Sequence, residues 1–235
     1  MSQVKILVID DEKPTLTMFR FMLSAHGYTV LTAENGMEGL EVFEQERPPI
    51  VLTDIKMPGM DGIEVLRRIK QIDPKTEVIV ITGHGDMELA IKALNLDATD
   101  FINKPIQRNV LEQALQRARE RIQLLSSDEK QVSVEPDGDA AVICFRGSMT
   151  SSSEPQLLEG FRQAFSLNKG RIVLRFDPNV SVNGAGISIL TQQLLEAGKR
   201  GCRVTLAGLP ENFKKVFRLV GITNLVEISD GEGDA

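Results

Sequence analysis

The sequence predicts two consecutive α/β domains, a doubly wound five-stranded parallel sheet followed by a smaller mixed sheet. Three observations predict this organisation. Over residues 4–125, short and nearly continuous apolar runs alternate with segments of helical periodicity, as in parallel strands covered on both faces. From residue 132 onward, a pair of alternating strands precedes the next helix. Between them lies the polar stretch SSDEKQ at 126–131, which we predict to be a linker.

The first domain, 1–125, contains five strand–helix units in series. Such units form an open parallel sheet whose ligand site lies at the carboxyl ends of the strands. The strands are predicted at 4–9, 29–33, 50–53, 77–82 and 99–102, and the helices at 14–26, 36–46, 61–71, 86–95 and 107–125.

The second domain, 132–235, begins with a predicted β-hairpin. The segment QVSVEPDGDAAVICFRG carries two alternating apolar runs around the turn residues Pro136, Asp137 and Gly138. The remaining elements are helices at about 154–167, 184–200 and 211–220, strands at 171–176, 203–209 and 225–229, and a disordered tail over about 230–235.

Composition excludes several classes of function. The 235 residues are 42% hydrophobic and 26% charged, an ordinary globular balance, and the net charge of −6 argues against a nucleic-acid surface. No apolar run approaches the roughly 20 residues of a membrane span, and the start has no signal-peptide pattern, so we expect a cytoplasmic protein. Cys144 and Cys202 are too few for a disulfide framework or a zinc site, and we expect buried thiols.

Carboxylates follow the first and third predicted strands. Asp10 and Asp11 come after the first strand, and Asp54 ends the third. Because neighbouring parallel strands end at the same edge of the sheet, we expect these side chains to converge and to repel one another unless a cation is bound. An acidic all-oxygen site with open positions suits Mg²⁺.

Two further side chains belong to the same edge. Thr82 ends the fourth strand, and Lys104 follows the fifth. Together with the carboxylates and the metal they predict a phosphoryl-accepting site, in which Asp54 attacks phosphorus while Mg²⁺, Thr82 and Lys104 stabilise the charged oxygens. Each residue alone has a structural explanation, such as a helix cap, so the prediction depends on the whole set.

On these residues, segment 1–125 resembles the receiver domain of two-component response regulators, which has a flavodoxin-like fold. The resemblance implies that Asp54 is the phosphoacceptor and that a sensor histidine kinase or phosphotransfer protein supplies the phosphoryl group. It also implies that Asp10, Asp11, Asp54 and the main-chain carbonyl of Lys56 hold Mg²⁺.

The same resemblance assigns roles around the fifth strand. Lys104 becomes the phosphate partner, with a cis bond before Pro105, and Thr82 becomes the switch hydroxyl. Phe101 occupies the aromatic switch position of the family, although a plain core aromatic also explains it. The sequence leaves open whether the helix at 107–125 mediates a homodimer.

The second half lacks the features of a DNA-binding or catalytic output. Residues 126–235 hold 12 lysines and arginines against 14 aspartates and glutamates, a net charge of −2, and show no basic recognition helix. His26 and His84 both precede residue 131, and no Cys/His or paired-carboxylate constellation follows it. We therefore expect a protein-binding module and not an enzyme.

Residues 132–229 resemble the STAS domain of anti-sigma factor antagonists. The resemblance is carried by ICFRG, by VLRFDPNVSVNGAGISIL across the central strand–helix turn, and by LAGLPENFKKVFRLVGITNLVEI. It implies an anti-sigma factor or related switch kinase as partner, and indirect control of transcription. In such antagonists the central turn reads Asp-Ser-Ser-Gly, and phosphorylation of its second serine releases the partner.

In this chain the turn has lost its acceptor. The four family positions fall on Asn183, Gly184, Ala185 and Gly186, which the resemblance makes the partner-binding residues. Asn183 is still a good helix N-cap, but Ala185 replaces the phosphorylated serine. A P-loop or dinucleotide site fails because the lysine and the third glycine are missing. We predict that control of partner binding has moved from this serine position to Asp54.

Nearby hydroxyl groups have two explanations. SMTSSSEP at 148–155 either holds a replacement phosphosite or forms a capping box between Ser151 and Glu154, which we favour. We expect Ser188 to be packed rather than modified. In the last predicted helix, Lys214, Lys215, Phe217 and Arg218 are expected to form one surface, which is either a partner-binding face or a solvated helix face. The alternative functions are a phosphorylation-gated scaffold subunit without a sigma factor, an unrecognised catalytic output, and a simple phosphate relay.

Overall fold

The computed structural model describes residues 4–83, 85–124 and 131–229. The chain divides into two compact units, Met1–Ile122 and Gln123–Ala235. The predicted tail at 230–235 lies outside the described residues, as does the predicted linker except for Gln131. Among the residues described, no helix combines the length and apolar composition that a membrane span requires.

The first unit is a five-stranded parallel sheet with the strand order β2-β1-β3-β4-β5, which confirms the predicted fold class. The strand order reverses between β1 and β3, because β2 is added on one side of β1 and β3 on the other. In open parallel sheets, ligands bind in the crevice at the carboxyl ends of the strands at such a point. The strands are β1 Lys5–Ile9, β2 Thr29–Ala33, β3 Ile50–Asp54, β4 Glu77–Thr82 and β5 Asp100–Asn103, and the helices are α1 Lys13–Ala25, α2 Gly36–Glu46, α3 Gly62–Ile72, α4 Met87–Asn95 and α5 Arg108–Leu124.

Burial explains why the central strands lack alternation. Every residue of β3 and β4 is buried, because helices cover both faces of the sheet. One core cluster packs the apolar faces of α1 and α5 against the sheet; its large members include Leu16, Phe19, Leu23, Leu111 and Leu115.

The second unit contains a mixed five-stranded sheet, as predicted, and the structure gives its strand order as β12-β11-β9-β7-β6. Only the β6–β7 pair of this sheet is antiparallel. The final strand begins later than predicted, because Leu225, which ends the 3-10 helix at 222–224, still has helical backbone angles. The strands are β6 Val132–Asp137, β7 Ala140–Phe145, β9 Arg171–Phe176, β11 Arg203–Ala207 and β12 Glu227–Ser229, and the helices are α6 Glu154–Ser166, α7 Gly184–Lys199 and α8 Glu211–Leu219.

A two-stranded parallel sheet that the sequence did not predict lies beside the main one. It pairs β8, Ser148–Met149, with β10, Ser181–Val182. The predicted capping box between Ser151 and Glu154 is wrong, because a 3-10 turn at Ser151–Ser153 precedes α6. The backbone N–H of Thr150 instead donates to the Ser153 hydroxyl at 3.2 Å, and Glu154 is already the first helical residue.

The two cysteines are free and half-buried, so the prediction of buried thiols is wrong. Cys144 lies on the face of β7 whose small apolar cluster consists of Ala140, Val142, Val173 and Ala207. Cys202 follows the end of α7, and its sulfur lies 3.8 Å from the main-chain oxygen of Lys169.

Candidate functional site

The carboxyl ends of β1 and β3 bring three aspartates together. The two strands pair in parallel with Ile9 opposite Thr53, so the residues that follow, Asp10 and Asp54, lie side by side. One carboxylate oxygen from each of Asp10, Asp11 and Asp54 lies within 4.8 Å of the others. Asp10 and Asp54 are 0% and 5% exposed, whereas Asp11 is exposed. The site is therefore closed beneath and open to solvent beside Asp11.

Burial makes the two inner carboxylates costly to ionise. It raises the pKa of both Asp10 and Asp54, and Lys104 partly offsets the effect in each case. One oxygen of Asp10 accepts the backbone N–H of Glu12 at 2.8 Å. The other, Oδ2, has no hydrogen-bond partner among the described residues. A buried, unsatisfied carboxylate oxygen beside two further carboxylates fits the oxygen-ligand set of Mg²⁺.

Lys104 extends its ammonium group to the same carboxylates. Its Nζ lies 3.2 Å from Asp54 Oδ2 and 3.6 Å from Asp10 Oδ2. Burial lowers the pKa of Lys104, but the attraction of Asp54 and Asp10 outweighs it and leaves that pKa raised. The Lys104–Pro105 peptide bond is cis, as the family resemblance implied. The site thus holds a permanent cation beside its buried acids at neutral pH.

Thr82 places an unused hydroxyl at the next strand end. Its side chain is 1% exposed, and its Oγ1 has no hydrogen-bond partner among the residues described. Leaving a buried hydroxyl unpaired costs about 1–3 kcal/mol, which an incoming acceptor oxygen would recover. Phe101 is 1% exposed on β5. Its burial is compatible with either a switch or a core role, so the switch role stays a prediction.

The loop after Asp54 depends on a glycine. A Cβ at Gly62 would stand 2.1 Å from the main-chain oxygen of Asp54. The N–H of Gly62 donates to Ile55 O at 2.9 Å, and Asp61 caps α3 by accepting the N–H of Glu64 at 2.8 Å. Only glycine allows α3 to start this close to the aspartate.

An ion pair that the sequence did not predict joins this loop to the start of α4. The side chain of Lys56 is exposed, and its Nζ lies 2.8 Å from Asp86 Oδ2. These residues are 30 positions apart, so no local pattern could have indicated the contact. The role implied for the main-chain carbonyl of Lys56 stays a prediction.

In the second unit, the turn before α7 keeps its cap and presents Ala185 to solvent. Asn183 Oδ1 accepts the N–H of Gly186 at 2.8 Å, which confirms the predicted N-cap. Gly184 is buried and Ala185 is exposed. A Cβ at Gly186 would stand 2.1 Å from the main-chain oxygen of Met149, so glycine is required where α7 meets β8.

Two expectations about the second unit are wrong. Ser188 is exposed rather than packed, since it lies one helical turn after Ala185 on the outward face, and its hydroxyl donates to Gly184 O at 3.0 Å. The predicted surface on α8 does not form a common face. Phe217 and Lys214 are 0% and 6% exposed, because helical spacing turns them toward the core.

Comparison with known proteins identifies both units. The family described as "Response regulator receiver domain" matches residues 6–116. Sporulation initiation phosphotransferase F of Bacillus subtilis (strain 168) is 34% identical over 117 residues, which cover 50% of this chain and 94% of that protein. The chain belongs to the response regulator receiver family. The family described as "Mlab, STAS domain" matches residues 132–227, so this response regulator carries a STAS domain after its receiver domain.

Solved structures agree on the receiver domain. A response regulator receiver domain protein from Clostridium thermocellum is 42% identical, has a TM-score of 0.51, and covers 52% of this chain and 98% of its own. Another relative, the transcriptional regulatory protein GlrR of Escherichia coli (strain K12), is 30% identical over 213 residues. The chain covers only 43% of the length of that relative.

Proposed function

We propose that this response regulator is phosphorylated on Asp54 and that the phosphorylation state controls what its STAS domain binds. The donor is a sensor histidine kinase or phosphotransfer protein, and the output partner is an anti-sigma factor or related switch kinase. The observation that carries the proposal is the buried Asp54 carboxylate, with Lys104 Nζ at 3.2 Å and the unsatisfied hydroxyl of Thr82 at the neighbouring strand end.

The arrangement supports transfer of a phosphoryl group to the carboxylate. An oxygen of Asp54 attacks the phosphorus of a phosphohistidine, the P–N bond breaks, and the imidazole nitrogen takes its electron pair. The ammonium of Lys104 and the hydroxyl of Thr82 are the donors for the new phosphoryl oxygens. Thr82 ends β4, the neighbour of β3 in the sheet. Lys104 follows β5, one strand further along, and its Nζ already lies 3.2 Å from Asp54 Oδ2.

The acidic residues fit a magnesium ion. Asp10, Asp11 and Asp54, with the main-chain carbonyl of Lys56, would hold it. The observation that supports this assignment is the buried Oδ2 of Asp10, which accepts no hydrogen bond from the described residues and lies 3.6 Å from Lys104 Nζ. When bound, Mg²⁺ neutralises negative charge on phosphoryl oxygens.

The available interactions are large enough to operate a switch. Moving a two-state equilibrium from 1:99 to 99:1 takes about 5.5 kcal/mol. Two or three charge-assisted hydrogen bonds to the phosphoryl group, each worth roughly 1.5–3 kcal/mol, supply a free energy of that size. Thr82 adds to it, because its hydroxyl has no bond to lose.

The chemical half of the proposal is tested by phosphorylation of the full chain. With Mg²⁺ and acetyl phosphate, intact mass should show one phosphoryl group that is stable to acid and labile to base. Asp54→Asn should abolish it. Asp61→Asn is the matched control, because it removes a carboxylate from the same loop while an asparagine keeps the cap of α3. A stoichiometric modification that persists in Asp54→Asn would refute the assignment.

The output half is tested by binding. An anti-sigma kinase encoded in the same genome should bind the phosphorylated and unphosphorylated chains with affinities that differ at least several-fold. Ala185→Arg should weaken binding, whereas Gln192→Arg, which adds the same charge to an exposed position further along α7, should not. Equal affinities for both phospho-forms would show that the receiver does not control the output and would favour a constitutive scaffold.

A further inference from the structure

The 3-10 turn Ser151–Ser153 lies against the first turn of α7. The strands that lead into these two segments, β8 and β10, pair in parallel. The N–H of Asn183 donates to the main-chain oxygen of Met149 at 3.1 Å, and a Cβ at Gly186 would stand 2.1 Å from the same oxygen. The 3-10 turn itself contacts α7. The serines of this turn are therefore far from α7 in sequence but next to that helix in space.

Most hydroxyl groups around this junction are structural. Ser153 is 1% exposed, donates to the main-chain oxygen of Ser148 at 2.6 Å and accepts the N–H of Thr150. Ser181 is 1% exposed and donates to the hydroxyl of Ser148 at 3.1 Å. The hydroxyl of Ser152 is paired with that of Thr150 at 2.8 Å. None of these groups can be modified without losing an existing bond.

Ser151 differs from all of them. Its side chain is exposed, and none of the residues described at 4–83, 85–124 and 131–229 gives its hydroxyl a hydrogen-bond partner. Ser188, the other exposed serine near Ala185, has its hydroxyl bound to Gly184 O at 3.0 Å. Ser151 thus combines exposure, an unengaged hydroxyl and a position beside the start of α7.

We propose that Ser151 is a phosphoacceptor for a serine kinase that docks on the Asn183–Gly186 surface. The inference rests on the proposed function, in which that surface binds such a kinase. The switch that Ala185 cannot provide then sits on the neighbouring turn, and the STAS domain is controlled both by Asp54 and by its own serine.

The transfer is an ordinary phosphorylation. The Ser151 oxygen forms a bond to the γ-phosphorus of ATP, the bond from that phosphorus to the bridging oxygen breaks, and ADP leaves. The hydroxyl proton passes to a base of the kinase. The product carries a charge of about −1.5 to −2 beside the start of α7, whose 16 residues direct a positive dipole end to this surface. A dianion there opposes the docking of a partner on the exposed methyl of Ala185.

The experiment uses the full chain, radiolabelled ATP and a purified anti-sigma-type serine kinase encoded in the same genome. Four proteins are compared: wild type, Ser151→Ala, Ser152→Ala and Ala185→Ser. Trypsin separates the two regions, since Ser151 falls on peptide 147–162 and Ala185 on peptide 176–199. Ala185→Ser restores the hydroxyl at the family position and so measures whether the kinase is competent on this domain.

Phosphate is expected on peptide 147–162 of the wild type and of Ser152→Ala, with fragment ions assigning it to Ser151, and it should be absent from that peptide of Ser151→Ala. Ser151→Asp should bind the kinase about tenfold more weakly than Ser151→Ala. The inference is overturned if the kinase modifies Ala185→Ser on peptide 176–199 but leaves peptide 147–162 unmodified, while the proposed function then survives. A kinase that neither binds the chain nor modifies Ala185→Ser overturns both.

Discussion

Replacing Gly186 with alanine should destabilise the second unit, although alanine is the better helix former. The added Cβ would stand 2.1 Å from the main-chain oxygen of Met149 and 2.9 Å from its Cγ, so β8 and α7 must separate. Backbone shifts forced by overpacking cost about 1–3 kcal/mol. Weakening the 3.1 Å bond from Asn183 N–H to Met149 O adds roughly 0.5–1.5 kcal/mol. The gain in helix propensity recovers about 1 kcal/mol, which leaves a net loss of roughly 0.5–3.5 kcal/mol.

The matched control lies on the same helix. A Cβ at Gly198 meets nothing within 4 Å, so Gly198→Ala should stabilise the unit by about 0.5–1 kcal/mol through helix propensity alone. The assay is thermal and urea unfolding of the full chain, with hydrogen exchange assigning each transition to its unit. In a domain of this size 1 kcal/mol shifts Tm by roughly 4–8 °C, so the two variants should move the transition of the second unit in opposite directions.

A neutral or stabilising Gly186→Ala would refute this reasoning. It would mean that β8 does not pack against the start of α7. The neighbourhood of Ser151 and Ala185, on which the second phosphorylation site depends, would then be wrong as well.

Two further predictions concern the receiver domain. Thr82→Ala should still be phosphorylated on Asp54 but should lose most of the phosphorylation-dependent change in partner affinity, measured by calorimetry; an undiminished change would exclude Thr82 as the coupling group. Asp10→Asn should raise the unfolding free energy of the metal-free protein at about pH 7. Burial raises the pKa of Asp10 above its ordinary 3.8, so above that raised pKa the ionised carboxylate destabilises the folded state. The stabilisation by asparagine should therefore vanish below pH 3.8, where the carboxyl is protonated in both the folded and the unfolded chain. The asparagine keeps the acceptor for Glu12 N–H. Thermal unfolding with and without Mg²⁺ should show that both Asp10→Asn and Asp11→Asn lose the stabilisation by the ion, but that Asp11→Asn, at an exposed position, does not stabilise the metal-free protein. An Asp10→Asn variant no more stable than wild type without Mg²⁺ would contradict this account.

The sequence alone was enough to predict the architecture and the composition of the acidic site. Continuous apolar runs such as 50–53 predict strands buried on both faces, and β3 is buried throughout. Parallel topology then requires Asp10 and Asp54 to meet, because residues that follow neighbouring parallel strands share one edge of the sheet. Lys104 reaches the same carboxylates for the same reason. A residue that follows a predicted parallel strand in the sequence can thus be placed at the carboxyl edge of the folded sheet.

Local turn chemistry was predicted less well. Asn183 caps α7 as its sequence context indicated, but the box expected between Ser151 and Glu154 closes instead between Thr150 and Ser153. Both patterns satisfy the same spacing of polar side chains, and only the insertion of a 3-10 turn distinguishes them. The exposure of Ser188 was also missed, because an apolar neighbour on each side does not show which way a helical residue points.

By itself the sequence determined the two α/β domains, the edge on which the acidic site lies and the absence of a serine at position 185. The tertiary structure alone decided which residues from distant segments share a surface. Arg117 reaches the buried Asp100 at 2.6 Å, Lys56 reaches Asp86, and the turn at Ser151 lies against the start of α7. The physical reason is that periodicity records which face of an element is buried, whereas a contact also depends on what another element, folded from elsewhere in the chain, places against that face.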